Sequence, residues 1–364
     1  MALSDIGPST TATSPWIRQG RLHDVMTGFS CSRRRYLGTV GSAVAVGSAG
    51  CLGSGGGGSL EELTVAYMPI YPDLQYFVME GEGYLSEIDA EIDGREFTDG
   101  PAIVQAYGSG ELDVAMFGIV PAMIVVDRGI PAQVTAANIV EPMGIMADEE
   151  LQALWADHGA DAFDVWADEH GQRFRFGTFP QGSVPDVLLR YWLSDVVGVD
   201  PESAVDIIEI NGANAVWQAI AGEEIDGTSI MEPVPTIANE EGSNVSMFRT
   251  ASEIMPGQPA AVTLMSDAVR DSPLAAQFLE QHVRATEFIA ENPDETAAHV
   301  ESGIGMPTER ARTALESPLS NFVTDPREIE DGTEVFSTFA HDNGQIEQEL
   351  TTKDIFDYNV YDGL

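Results

Sequence analysis

The sequence predicts an α/β fold of two lobes joined by a chain that crosses between them twice. Three observations predict it. Short β-rich runs alternate with helical stretches, the pattern of a parallel α/β layer. The alternation comes in two blocks separated by an acidic helical stretch, and a β-rich return segment at 260–266 follows the second block. In the first block, strands are expected at 63–67, 89–93, 112–117 and 133–137, with helices at 73–83, 101–107 and 121–127. Residues 149–169 read as an acidic helix interrupted at Gly159. The second block places strands at 173–179, 205–210, 226–231 and 244–248, with helices at 185–197, 213–221 and 235–240. From Pro273 the period is helical, with apolar Phe278, Val283, Phe288 and Ile289, and this tail is assigned to the first lobe. The first lobe is therefore expected to comprise 61–146 and 258–364, and the second 147–257. No long internal repeat is seen.

Ahead of the lobes, residues 1–51 read as an export signal. Arg33-Arg34-Arg35 followed by Tyr36 and Leu37 looks like a twin-arginine signal, and 38–50 has the length of a signal-peptide apolar region. It is too short to span a bilayer as a helix. Cys51, after Ala49 and Gly50, resembles the cysteine of a lipobox, and 52–60 is a Gly/Ser tether. Met26 makes a more ordinary start than Met1. The expected location is the extracellular face of the cell membrane, lipid-anchored through Cys51.

The chain carries 59 acidic against 17 basic residues, a net charge of −42, and its only lysine is Lys353. Removing 1–50 takes away Asp5, Asp24, Arg18, Arg21, Arg33, Arg34 and Arg35 and leaves a net charge of about −45. Such self-repulsion disfavours a compact domain in dilute salt, whereas molar salt shortens the screening length to roughly 3 Å. A halophilic protein is the natural reading. With 43% apolar residues and clear helix and strand periods, disorder does not explain the charge. Nucleic acid and anionic membrane surfaces are repelled and are not expected as partners. The two cysteines, Cys31 and Cys51, both precede the lobes, so a disulfide or thiolate metal site within them is not expected.

In open α/β sheets, ligands sit outside the carboxyl ends of the strands. Here those loops are 68–72, 117–121, 138–142, 178–183, 211–214 and 231–233. Candidate ligand-binding residues are Pro69, Tyr71, Phe117, Gly118, Asn138, Gln181, Gly182, Ser183, Asn211 and Glu232. Gln181-Gly182-Ser183 stands out, because Gly182 permits close backbone approach and a helix N-terminus accepts an oxyanion. Ser183 equally suits a helix N-cap, and Asn211 an ordinary turn. Glu141 and Glu232 suit a ligand with an amine, such as taurine or a pyrimidine precursor, the scarcity of basic residues puts an inorganic anion in doubt, and the choice between them stays open.

Five stretches carry a family resemblance: Val65-Ala66-Tyr67-Met68-Pro69 with Glu82-Gly83-Tyr84-Leu85; 99–122, including Gly110-Glu111-Leu112-Asp113 and Phe117-Gly118; 177–183; 219–227; and Glu232-Pro233 with 285–293 behind it. In order and spacing the chain resembles the substrate-binding proteins of the nitrate/sulfonate/taurine (NitT/TauT) group of ABC importers. That resemblance implies a type II periplasmic-binding fold, capture of a small solute between two lobes, and delivery to a permease with its cytoplasmic ATPase. A monomer without cofactor or metal is expected. Two alternatives stay open: a binder of a thiamine-type pyrimidine precursor, or an enzyme of the same fold. The six histidines, His23, His158, His170, His282, His299 and His341, fall outside the six loops, and no Ser/His/Asp arrangement or Walker loop appears, which points away from catalysis.

Overall fold

The computed structural model describes residues 60–364. The expected signal, Cys51 and the tether up to Ser59 lie outside the described residues. The chain first forms β1 (Glu62–Tyr67), α1 (Leu74–Gly81), β2 (Glu91–Glu96), α2 (Gly100–Gly108), β3 (Val114–Gly118), α3 (Ile119–Asp127), β4 (Ala132–Ala137) and β5 (Gly144–Asp148). It continues through α4 (Glu149–His158), α5 (Ala162–His170), β6 (Phe174–Thr178), α6 (Val184–Tyr191), α7 (Pro201–Ala204), β7 (Val205–Glu209), α8 (Ala213–Ala221), β8 (Gly227–Ile230), α9 (Val234–Glu241) and β9 (Val245–Thr250). After α10 (Ala251–Ile254) it returns through β10 (Ala261–Ser266) and α11 (Asp267–Arg270). The tail then runs through α12 (Pro273–Glu291), α13 (Pro293–Ile304), α14 (Thr308–Leu315), α15 (Glu330–Asp342), α16 (Thr352–Ile355) and α17 (Asn359–Asp362).

Among the described residues ten strands make two sheets, ordered β2-β1-β3-β10-β4 and β7-β6-β8-β5-β9. In the first, β1 runs parallel to β2 and β3, and β10 lies antiparallel between β3 and β4. In the second, β6 runs parallel to β7 and β8, and β5 lies antiparallel between β8 and β9. The expectation of parallel layers thus needs one correction in each sheet. The antiparallel strand is the one by which the chain arrives from the other sheet.

Strand β5 was not expected at all, and it puts Gly144 into the second sheet ahead of the expected border at 147. Gly144 to Ala147 are all buried. A short apolar run without alternation fits a strand covered on both faces and a buried helix equally well. The expected strand 89–93 lies further along as β2, whose register with β1 runs from Glu62↔Glu91 to Tyr67↔Glu96. Its Glu91, Asp93, Arg95 and Glu96 hide the alternation, as suits an edge strand.

Local punctuation follows the side chains. Asp99, Ser183 and Ser272 cap the starts of α2, α6 and α12 with side-chain oxygens, and proline stands in the first turn of each. The second sheet packs on an aromatic cluster of Trp155, Phe163, Phe174, Phe176, Trp192 and Phe248. The first sheet is covered by aliphatic side chains, by Tyr76 and Phe77 of α1 and by the tail, with Leu63, Val65, Val114 and Met265 in the same apolar cluster as Phe278 and Ala285 of α12.

Backbone hydrogen bonds knit three segments at the crossing. Glu141 N–H donates to Gln258 O and Asn138 N–H to Ala261 O, while Val140 N–H donates to Asn321 O and Ala137 N–H to Thr324 O. The tail segment 321–324 therefore lies beside the two strands that pass between the sheets.

Candidate functional site

The loops after β1 and β3 in one sheet approach those after β6 and β8 in the other. Gly118, at the end of β3, lies so close to the start of α6 that a Cβ there would meet Val184 Cγ2 at 3.4 Å. Tyr71, after β1, is buried, and its hydroxyl pairs with Ser320 Oγ at 2.9 Å. Burial holds the Tyr71 phenol protonated well above its usual range, and the nearby Glu232 charge pushes the same way.

Glu232, after β8, is 3% exposed. Its Oε2 accepts the Thr236 backbone N–H at 3.1 Å, and the Ser317 and Thr236 hydroxyls lie near the carboxylate. Burial raises its pKa, and these polar neighbours pull it back part of the way. No arginine, lysine or histidine forms an ion pair with Glu232 among the described residues. Ser317 and Ser320 belong to the tail loop after α14, so three chain segments meet here. Sequence reasoning missed these serines. The only signal for them was the turn-rich run Ser317-Pro318-Leu319-Ser320-Asn321.

Gln181, Gly182 and Ser183 stand together at the start of α6. The Gly182 N–H donates to Asp186 Oδ2 at 3.0 Å, with Gly182 at φ +84. The Gln181 N–H donates to Glu209 Oε1 at 3.2 Å, and the Ser183 hydroxyl accepts from Asp186 N at 3.4 Å as an N-cap. Asp186 is itself buried and held by Arg190 Nε at 2.7 Å. Burial pushes its carboxyl pKa up, against the pull of the Gly182 N–H and Arg190.

Other expected site residues are placed differently. Phe117 is fully buried in the core, so at that point of the chain only Gly118 faces the second sheet's loops. Asn138 is also fully buried, with its side chain committed. Its Nδ2 donates to Asp73 Oδ1 at 2.9 Å, and its Oδ1 accepts from Thr263 Oγ1 at 2.9 Å and faces His282 Nε2 at 3.1 Å. An uncharged amide is well suited to join a carboxyl, a hydroxyl and an imidazole at the crossing, and this removes it from the set free to hold a solute. Burial lifts Asp73 to about 8 and holds His282 neutral, at about 3. Asn211 is exposed between β7 and α8, and Pro69 is half-buried before Tyr71. Glu141 accepts the Gly257 N–H at 2.7 Å across the crossing.

A hollow of about 810 Å³ lies against the crossing segments and the tail, lined by Val140, Glu141, Gly257, Thr286, Phe322 and Glu328 among others. It shares only Val140 and Glu141 with the six expected loops. Among the described residues no group of three or more His, Cys, Asp or Glu is arranged to hold a metal ion, and no helix is long and apolar enough to cross a membrane.

The model of the NMT1-like family matches residues 56–303. A Brucella abortus protein described only as a binding protein is 25% identical over 209 residues, which is 57% of this chain and 60% of that protein. The alkanesulfonate-binding protein SsuA of Xanthomonas axonopodis pv. citri, solved with MOPS, superposes with a TM-score of 0.64 at 14% identity, covering 82% of this chain and 98% of its own. The periplasmic nitrate-binding protein NrtA of Synechocystis PCC 6803 gives 0.65 at 15% identity, covering 84% and 88%. At such identities the two structures establish the fold, which is that of the two-lobed periplasmic binding proteins.

Proposed function

We propose, from the premise that the chain belongs to the NMT1-like family, that it captures a small solute between its two lobes as the binding component of an ABC importer and delivers it to a membrane permease. One observation carries the reading: the loops at the carboxyl ends of two like-ordered sheets meet, with Gly118 against Val184 and Ser317 beside Glu232. Ligands of open α/β sheets bind at such crevices. The crossings at 138–143 and 255–260 are the places where the lobes can turn relative to each other. Proposed contacts are Tyr71, Gly118, Glu232 and the Ser317–Ser320 loop, with Gln181 and Asn211 on the rim. His282, buried and bonded to Asn138 and Thr324, is a structural group rather than an acid or base for catalysis.

Export by the twin-arginine route, anchoring through Cys51, a monomeric state and a halophilic setting complete the proposal. They rest on the sequence features described above and on the net charge of −42. A solute-library screen by thermal shift in molar KCl tests the central part, because a ligand selective for the native state raises the melting temperature. A hit should bind saturably with one site per chain. Failure of every importer-class solute to bind, with no change in shape by small-angle scattering, would refute the reading.

A further inference from the structure

The start of α6 is where backbone N–H groups could seat an oxyanion, and this chain seats its own carboxylates there. Asp186 takes the Gly182 N–H and Glu209 takes the Gln181 N–H, while the Ser183 N–H is bonded to Pro180 O. An incoming anion would have to displace two like charges from the donors it needs. On the opposite wall the feature that could attract it is the start of α3 at Gly118, which has no side-chain cap. Tyr71 offers a hydroxyl already paired with Ser320, and Gly118 offers only backbone. Arg190 is held by Asp186 and Glu202, and Arg310, at the α9–α14 contact, is held by Glu240 and Glu241. What the cleft does hold is Glu232, buried between the lobes, bonded to the Thr236 backbone N–H and with the Ser317 and Thr236 hydroxyls nearby. A buried carboxylate without a cation is unfavourable, and a bound group that supplies hydrogen-bond donors relieves it.

Resting on the solute-capture reading, we propose that the solute presents hydrogen-bond donors to Glu232, as an ammonium, amidinium or amide group, and that oxyanions are excluded. The nitrate and alkanesulfonate named for the superposed proteins therefore do not carry over to this chain.

Three probes with one ring and different head groups separate the cases: benzamidinium, benzamide and benzenesulfonate, with nitrate as the inorganic arm. Calorimetry in molar KCl should rank benzamidinium first and benzamide second, with no measurable heat from benzenesulfonate or nitrate. Glu232→Gln should weaken benzamidinium tenfold or more and benzamide by less. If Glu232→Gln does not fold by circular dichroism, the ranking on the unsubstituted chain decides alone. Benzenesulfonate or nitrate binding as tightly as benzamidinium would overturn the inference and leave solute capture intact. So would a silent panel alongside a library hit that carries no donor group. A silent panel with no library hit at all removes both.

Discussion

The two lobes are built on one plan and treat its key positions differently. A short repeat, too brief to stand out in the sequence, shows the shared plan. Ala102, Gln105, Ala106, Glu111 and Asp113 recur at constant spacing as Ala215, Gln218, Ala219, Glu224 and Asp226. The backbone repeats with them. Gly110 N–H donates to Tyr107 O as Glu223 N–H does to Ile220 O, and Glu111 N–H donates to Ala106 O as Glu224 N–H does to Ala219 O. Asp113 then accepts the Thr64 N–H of β1, as Asp226 accepts the Arg175 N–H of β6. The lobes part at the first strand-to-helix junction. Each buries an aspartate there, Asp73 or Asp186, but only Asp186 has an arginine beside it. The lesson is that topology fixes where a carboxyl sits, and the surrounding partners fix what state it holds.

The largest effect separates the two cores. Trp192 is buried in the aromatic cluster of the second lobe, and Trp192→Ala should cost about 3–5 kcal/mol by denaturant unfolding. An aliphatic truncation of similar burial in the first lobe, Leu63→Ala, should cost less, about 2–5 kcal/mol. Equal losses would mean that the aromatic cluster has no special weight.

Next comes the polar pin at the crossing. Asn138→Ala leaves the side chains of Asp73, Thr263 and His282 without their shared partner, and orphaning such buried groups should cost about 1–3 kcal/mol in all. The same substitution at exposed Asn211 should change stability by no more than about 0.5 kcal/mol.

Protonation distinguishes the two aspartates. Asp73, lifted to about 8 by burial, binds its proton more tightly folded than unfolded. Its contribution therefore favours the fold at low pH and is lost as pH rises from the ordinary carboxyl range through about 8. His282, held at about 3, acts only below the ordinary imidazole range, so the interval from pH 6.5 to 8 separates Asp73 from it. Urea midpoints should fall across that interval, and Asp73→Asn should flatten the slope. A slope that survives Asp73→Asn assigns it to another group.

The smallest effect tests the repeat itself. Glu223 holds φ +56 where the first lobe has Gly110 at φ +74. A non-glycine residue in that region costs about 1 kcal/mol. Glu223→Gly should stabilise the chain by up to that amount, and Gly110→Ala should destabilise it by a similar amount.

Much of the fold was legible because its signals are local. Asp99-Gly100-Pro101, Ser183-Val184-Pro185 and Ser272-Pro273 announce helix starts, and helix 213–221 was read to its ends. Strand β5 was not legible, since Gly144-Ile145-Met146-Ala147 lacks a period and its role depends on partners far along the chain. Of the expected site residues, the sequence shows which loops carry them but not which side chains remain free. Nothing near Asn138 in sequence announces Asp73, Thr263 and His282 around it, and nothing at Gly182 announces Glu209. Ser317 and Ser320 reach the cleft from a tail that, read locally, is only helices and turns.

The central claim is that the lobes close on a solute, and the distance between them tests it most directly. Cys31 and Cys51 lie outside the described residues; with both replaced by serine, labels at Thr98→Cys, after β2, and Asn214→Cys, at the start of α8, mark the two exposed rims. Energy transfer between them should rise saturably with a solute from the screen, at the concentration where calorimetry shows binding. Saturable binding with unchanged transfer would contradict the account.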